Sequence, residues 1–127
     1  MTDLQQTVVA ALAGRRFPLE NEKATQAAIE EVLVAKFGVC VFREACVAGG
    51  IIDFVVVERI DGLAVVPGVG IEVKLKGRPG AIRRQVKGYA DEPSIAALVL
   101  ATARPIAMPV SIGGKPVAVL DLGRAWL

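Results

Sequence analysis

The chain contains no histidine at all. That absence removes the Ser-His-Asp and Cys-His triads, the imidazole general base and the histidine-ligated metal nucleases in their usual forms. Cysteine is scarce as well. Cys40 and Cys46 are the only two, and without histidine they cannot make a structural zinc site. Both fall in one expected strand, an even number of residues apart, so they share a face but lie too far apart along it to be bridged. They read as reduced core thiols, and the compartment as the cytoplasm. Long hydrophobic runs are missing too. The residues are 54% hydrophobic, yet nowhere do about 18 apolar residues follow one another without a charge, so no membrane span is expected. Met1-Thr2-Asp3 has no basic start, and Val8–Ala13 is short and runs into Gly14-Arg15-Arg16, so no secretory leader is expected. Chemistry is left to carboxylates, lysine, tyrosine, or a metal held by oxygen.

The apolar content comes instead in short Val/Ile/Ala/Leu runs, the pattern of strands covered on both faces. At 127 residues the chain suits one domain, 1–127, with an N-terminal helix and connector over 1–18, a core over 19–104 and a C-terminal strand and tail over 105–127. Net charge is only +2, but it is unevenly spread. Lys74, Lys76, Arg78, Arg83, Arg84 and Lys87 fall between Val73 and Ala90 with no acid among them. Such a stretch is either a solvated helix face or a phosphate-binding patch.

Thr2 or Asp3 can cap a first helix, with Leu4, Val8, Ala11 and Leu12 at helical spacing and Gly14 as its stop. This helix could pack on its own domain or on another copy of the chain. Asn21 caps a longer helix to Phe37, stopped by Gly38. Its apolar stripe holds Ile29, Val32, Leu33 and Phe37. At about 100° per residue, Glu22 projects onto the centre of that stripe, with Gln26 close by. Strands are expected over Val39–Val47 and Ile51–Glu58, with turns at Ala48-Gly49-Gly50 and Arg59–Gly62. A strand interrupted at Pro67-Gly68 follows, over Leu63–Val66 and Gly70–Lys76. A helix over Ala81–Ala90, a central strand over Ser94–Ala103 and a last strand over Lys115–Leu122 complete the pattern. The order of helix, three strands, helix and strand predicts an α/β fold, a mixed sheet with helices against it.

Several polar residues interrupt this apolar frame. Asp53 is the lone acid among Ile51, Ile52, Phe54, Val55, Val56 and Val57. In GIEVKLKGRPG, alternation places Ile71, Val73 and Leu75 on one strand face and Glu72, Lys74 and Lys76 on the other. An edge strand facing water explains that pattern, and so does a catalytic strand. Gln85 and Tyr89, four apart, share a helix face. Two acids brought together repel unless a cation stands between them. A hard divalent cation wants oxygen ligands and keeps several waters, so two or three carboxylates suffice. It polarises a phosphoryl oxygen and acidifies bound water, while a nearby lysine stabilises developing charge.

Asp53, then Glu72-Val73-Lys74, then Gln85-x-x-x-Tyr89 resembles the PD-(D/E)XK nuclease superfamily, above all its branches with a trailing Q-x-x-x-Y helix, such as RecB-like and VRR-type domains and small phage relatives. The resemblance spans roughly residues 20–104, and Ile52 stands where the motif has proline. It implies a restriction-endonuclease-like core and Mg²⁺- or Mn²⁺-dependent hydrolysis of phosphodiester bonds. It further implies that Asp53, Glu72 and the Val73 carbonyl ligate the metal and that Lys74 is catalytic. Glu22, in Glu22-x-x-x-Gln26, matches the first-helix acid, with Glu44 as the other candidate. Gln85 and Tyr89 would support the site or touch substrate, and Lys76, Arg78, Arg83, Arg84 and Lys87 would hold the nucleic-acid backbone. The expected partner is nucleic acid, DNA above all, cut by structure rather than by sequence. A homo-oligomer is left open. The alternatives are a non-catalytic nucleic-acid-binding module on the same scaffold, and an assembly domain whose Glu72 and Lys74 face water, far from Asp53.

Overall fold

The computed structural model describes residues 1–60 and 64–127, with side chains described at all of these except 59, 60 and 64–66. Helix α1 (Asp3–Leu12) opens on a reciprocal cap. Thr2 Oγ1 accepts from the Gln5 amide at 3.1 Å, and Gln5 Oε1 accepts from the Thr2 amide at 3.3 Å. Its Val8 and Leu12 are buried against α2 (Glu22–Phe37) and the sheet, so the helix packs on its own domain. Asn21 Oδ1 accepts from the Ala24 amide at 2.8 Å to start α2, and Gly38, at φ +57°, ends it.

The chain does not enter a strand directly after that glycine. Gly38–Cys40 makes a turn of 3₁₀ helix, so β1 (Val41–Val47) starts two residues later than the apolar run suggests, and Cys40 lies outside it. Cys46 lies in β1 but is exposed. The reading of both cysteines as core thiols on one strand face is therefore corrected. β1 is an edge strand, and neither thiol is buried.

β2 (Gly50–Ile60) pairs antiparallel with β1 and with β3 (Ala64–Lys74), and helix α3 (Pro79–Tyr89) then crosses to β4 (Ile95–Thr102), parallel to β3. β6 (Lys115–Asp121) adds parallel to β4, and β5 (Ser111–Ile112), a short strand absent from the sequence reading, pairs antiparallel at its edge. Among the described residues the fold is thus α/β, a mixed open sheet of order β1-β2-β3-β4-β6-β5 with three α-helices. The long strand over Ser94–Ala103 is central, as its unbroken apolar run required. Of the turn expected over Arg59–Gly62 and the strand start at Leu63, positions 61–63 lie outside the described residues, while Arg59 and Ile60 still pair with β3. The break expected at Pro67-Gly68 is a register shift within one continuous strand. A Cβ on Gly68 would stand 1.9 Å from the Val56 carbonyl oxygen, so only glycine permits this approach.

Two cores sandwich the sheet. On one face α1 and α2 press Val8, Leu12, Ile29 and Leu33 onto Phe54, Val56, Ile71, Val73 and Val99. On the other, Ile82, Val86 and Tyr89 of α3 cover Ile52, Val55, Leu98 and Leu100. Each such aliphatic side chain contributes about 1.5–3 kcal/mol when fully buried. Residues 52 and 54 should share a strand face, yet Ile52 belongs to one core and Phe54 to the other. The pleat slips at Asp53. Across from it, with the register unbroken from Arg43↔Phe54 to Ala45↔Ile52, stands Glu44 at φ +51°, a left-handed position uncommon for a residue other than glycine. The slip frees the Asp53 side chain from either core. Among the described residues, no helix is long and apolar enough to cross a membrane.

Candidate active site between β2 and β3

The β2–β3 ladder runs as far as Phe54↔Ile71 and there gives way to side chains. The Asp53 amide donates to Glu72 Oε1 at 3.2 Å, and the Val73 amide donates to Asp53 Oδ2 at 2.7 Å. Two carboxylates have replaced the main-chain pairing. In an extended strand a residue's N–H and C=O point to the same side, so the Val73 carbonyl faces this gap as well. The gap lies at the carboxyl ends of the parallel strands β3 and β4, the usual place for a site on an open α/β sheet.

Glu72 is 3% exposed, far from the water-facing position of an edge strand, and β3 lies inside the sheet. Burial first, and the Asp53 charge second, push its carboxyl up to about 8, against the opposing pull of Lys74. Lys74 Nζ stands 3.5 Å from Glu72 Oε2, its side chain a quarter exposed. From the α3 side, Tyr89 is wholly buried. Its hydroxyl is 2.7 Å from the Ile51 carbonyl and 3.4 Å from Glu72 Oε2, and it accepts from Gln85 Nε2 at 2.8 Å. One phenolic proton serves the nearer acceptor, Ile51, so the Tyr89 oxygen braces Glu72 without giving it a full hydrogen bond. Burial and then the Glu72 charge push the phenol's ionisation upward, so Tyr89 stays neutral.

From the other side comes the start of α2. Glu22 Oε1 accepts from the Leu75 amide at 2.9 Å, beyond the end of β3, and Gln26 Nε2 donates to Asp53 Oδ1 at 3.1 Å. The structure therefore gathers Glu22, Asp53, Glu72, Val73, Lys74, Gln85 and Tyr89 around one gap. Glu44 is exposed on β1, 3.9 Å from Arg43 Nη2. Strand β3 ends at Lys74, so Lys76 lies on the following turn rather than one step along the same face. Lys76, Arg78, Arg83, Arg84 and Lys87 are all exposed, on that turn and the outer side of α3.

Asp53, Glu72 and the Val73 carbonyl form an oxygen-only donor set that could hold a hard cation. Among the described residues, no three acidic, histidine or cysteine side chains converge as a finished metal cage, and the Glu22 carboxylate is turned to its amide partner. A groove of about 1310 Å³ lies elsewhere, lined by Asp3, Gln6, Thr7, Glu31, Val32 and Lys36 among others of α1 and α2.

Two features escaped the sequence reading. Gln5, fully buried in α1, donates through Nε2 to the carbonyls of Leu98 at 2.9 Å and Pro116 at 3.2 Å, where β4 and β6 begin to pair. The β1–β2 turn meets α3 backbone to backbone, and a Cβ on Gly49 would stand 2.6 Å from the Gly88 carbonyl carbon. That contact brings Ile51 within reach of Tyr89. The double glycine at 49–50 was a readable signal for a turn, though not for its partner. Searches against family models, characterised proteins and solved structures find no match to this chain.

Proposed function

We propose that the chain is a metal-dependent nuclease that hydrolyses phosphodiester bonds, of DNA above all, by structure rather than by sequence, on a restriction-endonuclease-like core of the PD-(D/E)XK type. One observation carries this reading: a buried carboxyl, Glu72, shares a gap with Asp53 and touches Lys74 at 3.5 Å. Buried like charges are costly unless something neutralises them, and a structural role needs no such pair. Mg²⁺ or Mn²⁺ fits, because the donors are all oxygens and a divalent charge offsets the burial and the Asp53 charge that hold Glu72 high. Asp53, Glu72 and the Val73 carbonyl would hold the ion. When bound, it supplies a polarised phosphoryl oxygen and a more acidic water.

The chain's own groups do the rest. Lys74, close to the Glu72 carboxylate yet open to solvent, offers a cation to the charge that grows on the phosphate. Tyr89, itself held by Gln85 and the Ile51 carbonyl, packs its oxygen against Glu72, and Gln26 donates to Asp53. Arg78, Arg83, Arg84 and Lys87, with Lys76, give the exposed side of α3 and its preceding turn a cationic surface suited to a phosphate backbone. The test is a digestion panel of branched, nicked, linear and single-stranded DNA and of RNA, with Mg²⁺ or Mn²⁺, for wild type and Asp53→Ala. The reading expects metal-dependent cutting of at least one substrate by wild type alone. Equal inertness of both proteins, with equal nucleic-acid binding, would favour a binding module instead.

A further inference from the structure

Arg43 sits in the middle of the edge strand β1, where a polar residue usually turns to water. Instead its guanidinium lies over the ring of Phe54, its cross-strand partner, at 4.8 Å from the centroid. Its Nη2 donates to Gln26 Oε1 at 2.9 Å, and its Nε stands 3.8 Å from Glu30. Nη1 is buried and has no partner among the described residues. A guanidinium held partly unsatisfied gains little for stability, so its place calls for another reason.

The chain of contacts supplies one. An arginine can only donate, so the Gln26 amide must turn its oxygen to Arg43. That orientation leaves Nε2 facing the other way, where it donates to Asp53 Oδ1. Oδ2 is held meanwhile by the Val73 amide, so both oxygens of Asp53 are constrained. We infer that Arg43 is a positioning residue of the metal-binding site, acting through the Gln26 amide to fix the rotation of the Asp53 carboxylate. This inference rests on the metal-centre reading above. Ligand-orienting partners of this kind are worth about 10–100-fold in metal affinity.

The test is calorimetric titration of MnCl₂ into wild type, Gln26→Ala, Arg43→Met and the double variant, with thermal melts of each protein free of metal. Gln26→Ala and Arg43→Met should each weaken Mn²⁺ binding about tenfold. The double variant should bind no more weakly than Gln26→Ala alone, because Arg43 works through that amide. Should Arg43→Met fail to fold, Arg43→Gln repeats the test with a smaller change, and the same tenfold loss is expected. Wild-type affinity in a folded Arg43 variant, or losses that multiply in the double variant, would overturn the inference and leave the metal centre standing. Folded wild-type protein that takes up no Mn²⁺ would overturn both.

Discussion

The backbone amide of Asp53 donates to the side chain of Glu72 on the neighbouring strand, at 3.2 Å, where a main-chain carbonyl would ordinarily accept. The carboxyl so held is buried and pushed up to about 8 by desolvation and by the Asp53 charge. A carboxyl whose ionisation is raised by folding stabilises the protein fully below its unfolded value near 4.5, and the contribution is lost as pH rises through about 8. The metal-free protein should therefore lose stability on the order of a few kcal/mol across that window. Glu72→Gln should flatten the loss and melt higher than wild type at pH 9. Thermal melts at a series of pH values in the presence of a chelator measure this, and parallel profiles for the two proteins would contradict it.

Gly49 answers to two constraints at once. Its φ is +86°, and a Cβ there would meet the Gly88 backbone at 2.6 Å. Gly49→Ala should cost about 1–3 kcal/mol in urea denaturation, through strain and overpacking together. Because the turn carries Ile51 to Tyr89, the tyrosine's fluorescence should report a more exposed ring in the same variant. An unchanged midpoint would show that the turn yields without cost.

Gln5 satisfies two strand carbonyls from inside α1. Gln5→Leu keeps the volume and removes both donors, and it should destabilise by about 1–3 kcal/mol for the buried Leu98 acceptor alone, the part-buried Pro116 carbonyl adding less. Chemical denaturation decides, and a change below about 0.5 kcal/mol, the range of ordinary surface substitutions, would rule the role out.

Arg83, Arg84 and Lys87 are exposed on α3, away from the two cores. Replacing each by Gln should leave the fold intact and weaken nucleic-acid binding across sequences alike. The slope of log affinity against log salt should shrink by about one per cation removed. Fluorescence anisotropy at several salt concentrations measures both quantities, and an unchanged slope would place the substrate elsewhere.

Much of this layout was legible in the residues. Asn21 and Gly38 bound α2 because capping and left-handed stops are local chemistry, read from single positions. Alternation in β3 correctly separated Ile71 and Val73 from Glu72 and Lys74, since the period of a strand is two. That same rule failed at Asp53, where the pleat slips opposite the left-handed backbone of Glu44 and residues 52 and 54 go to opposite cores. It failed again for Cys40, because the 3₁₀ turn after Gly38 costs the strand its first residues. Arg43 and Gln5 stayed hidden for a different reason. Their partners lie 17 and 93 or more residues away, and pairing at that distance is set by sheet register rather than by any local pattern.

The most direct measurement of the central claim is cleavage of end-labelled DNA by wild type and Lys74→Ala, each with Mg²⁺ and with a chelator. The account predicts that wild type cuts only with Mg²⁺. It also predicts that Lys74→Ala, still folded and still binding Mn²⁺, cuts at least about a hundredfold more slowly, the loss expected when one group that stabilises developing charge is removed. Cutting by wild type in the chelator, or equal rates for the two proteins with Mg²⁺, would contradict it.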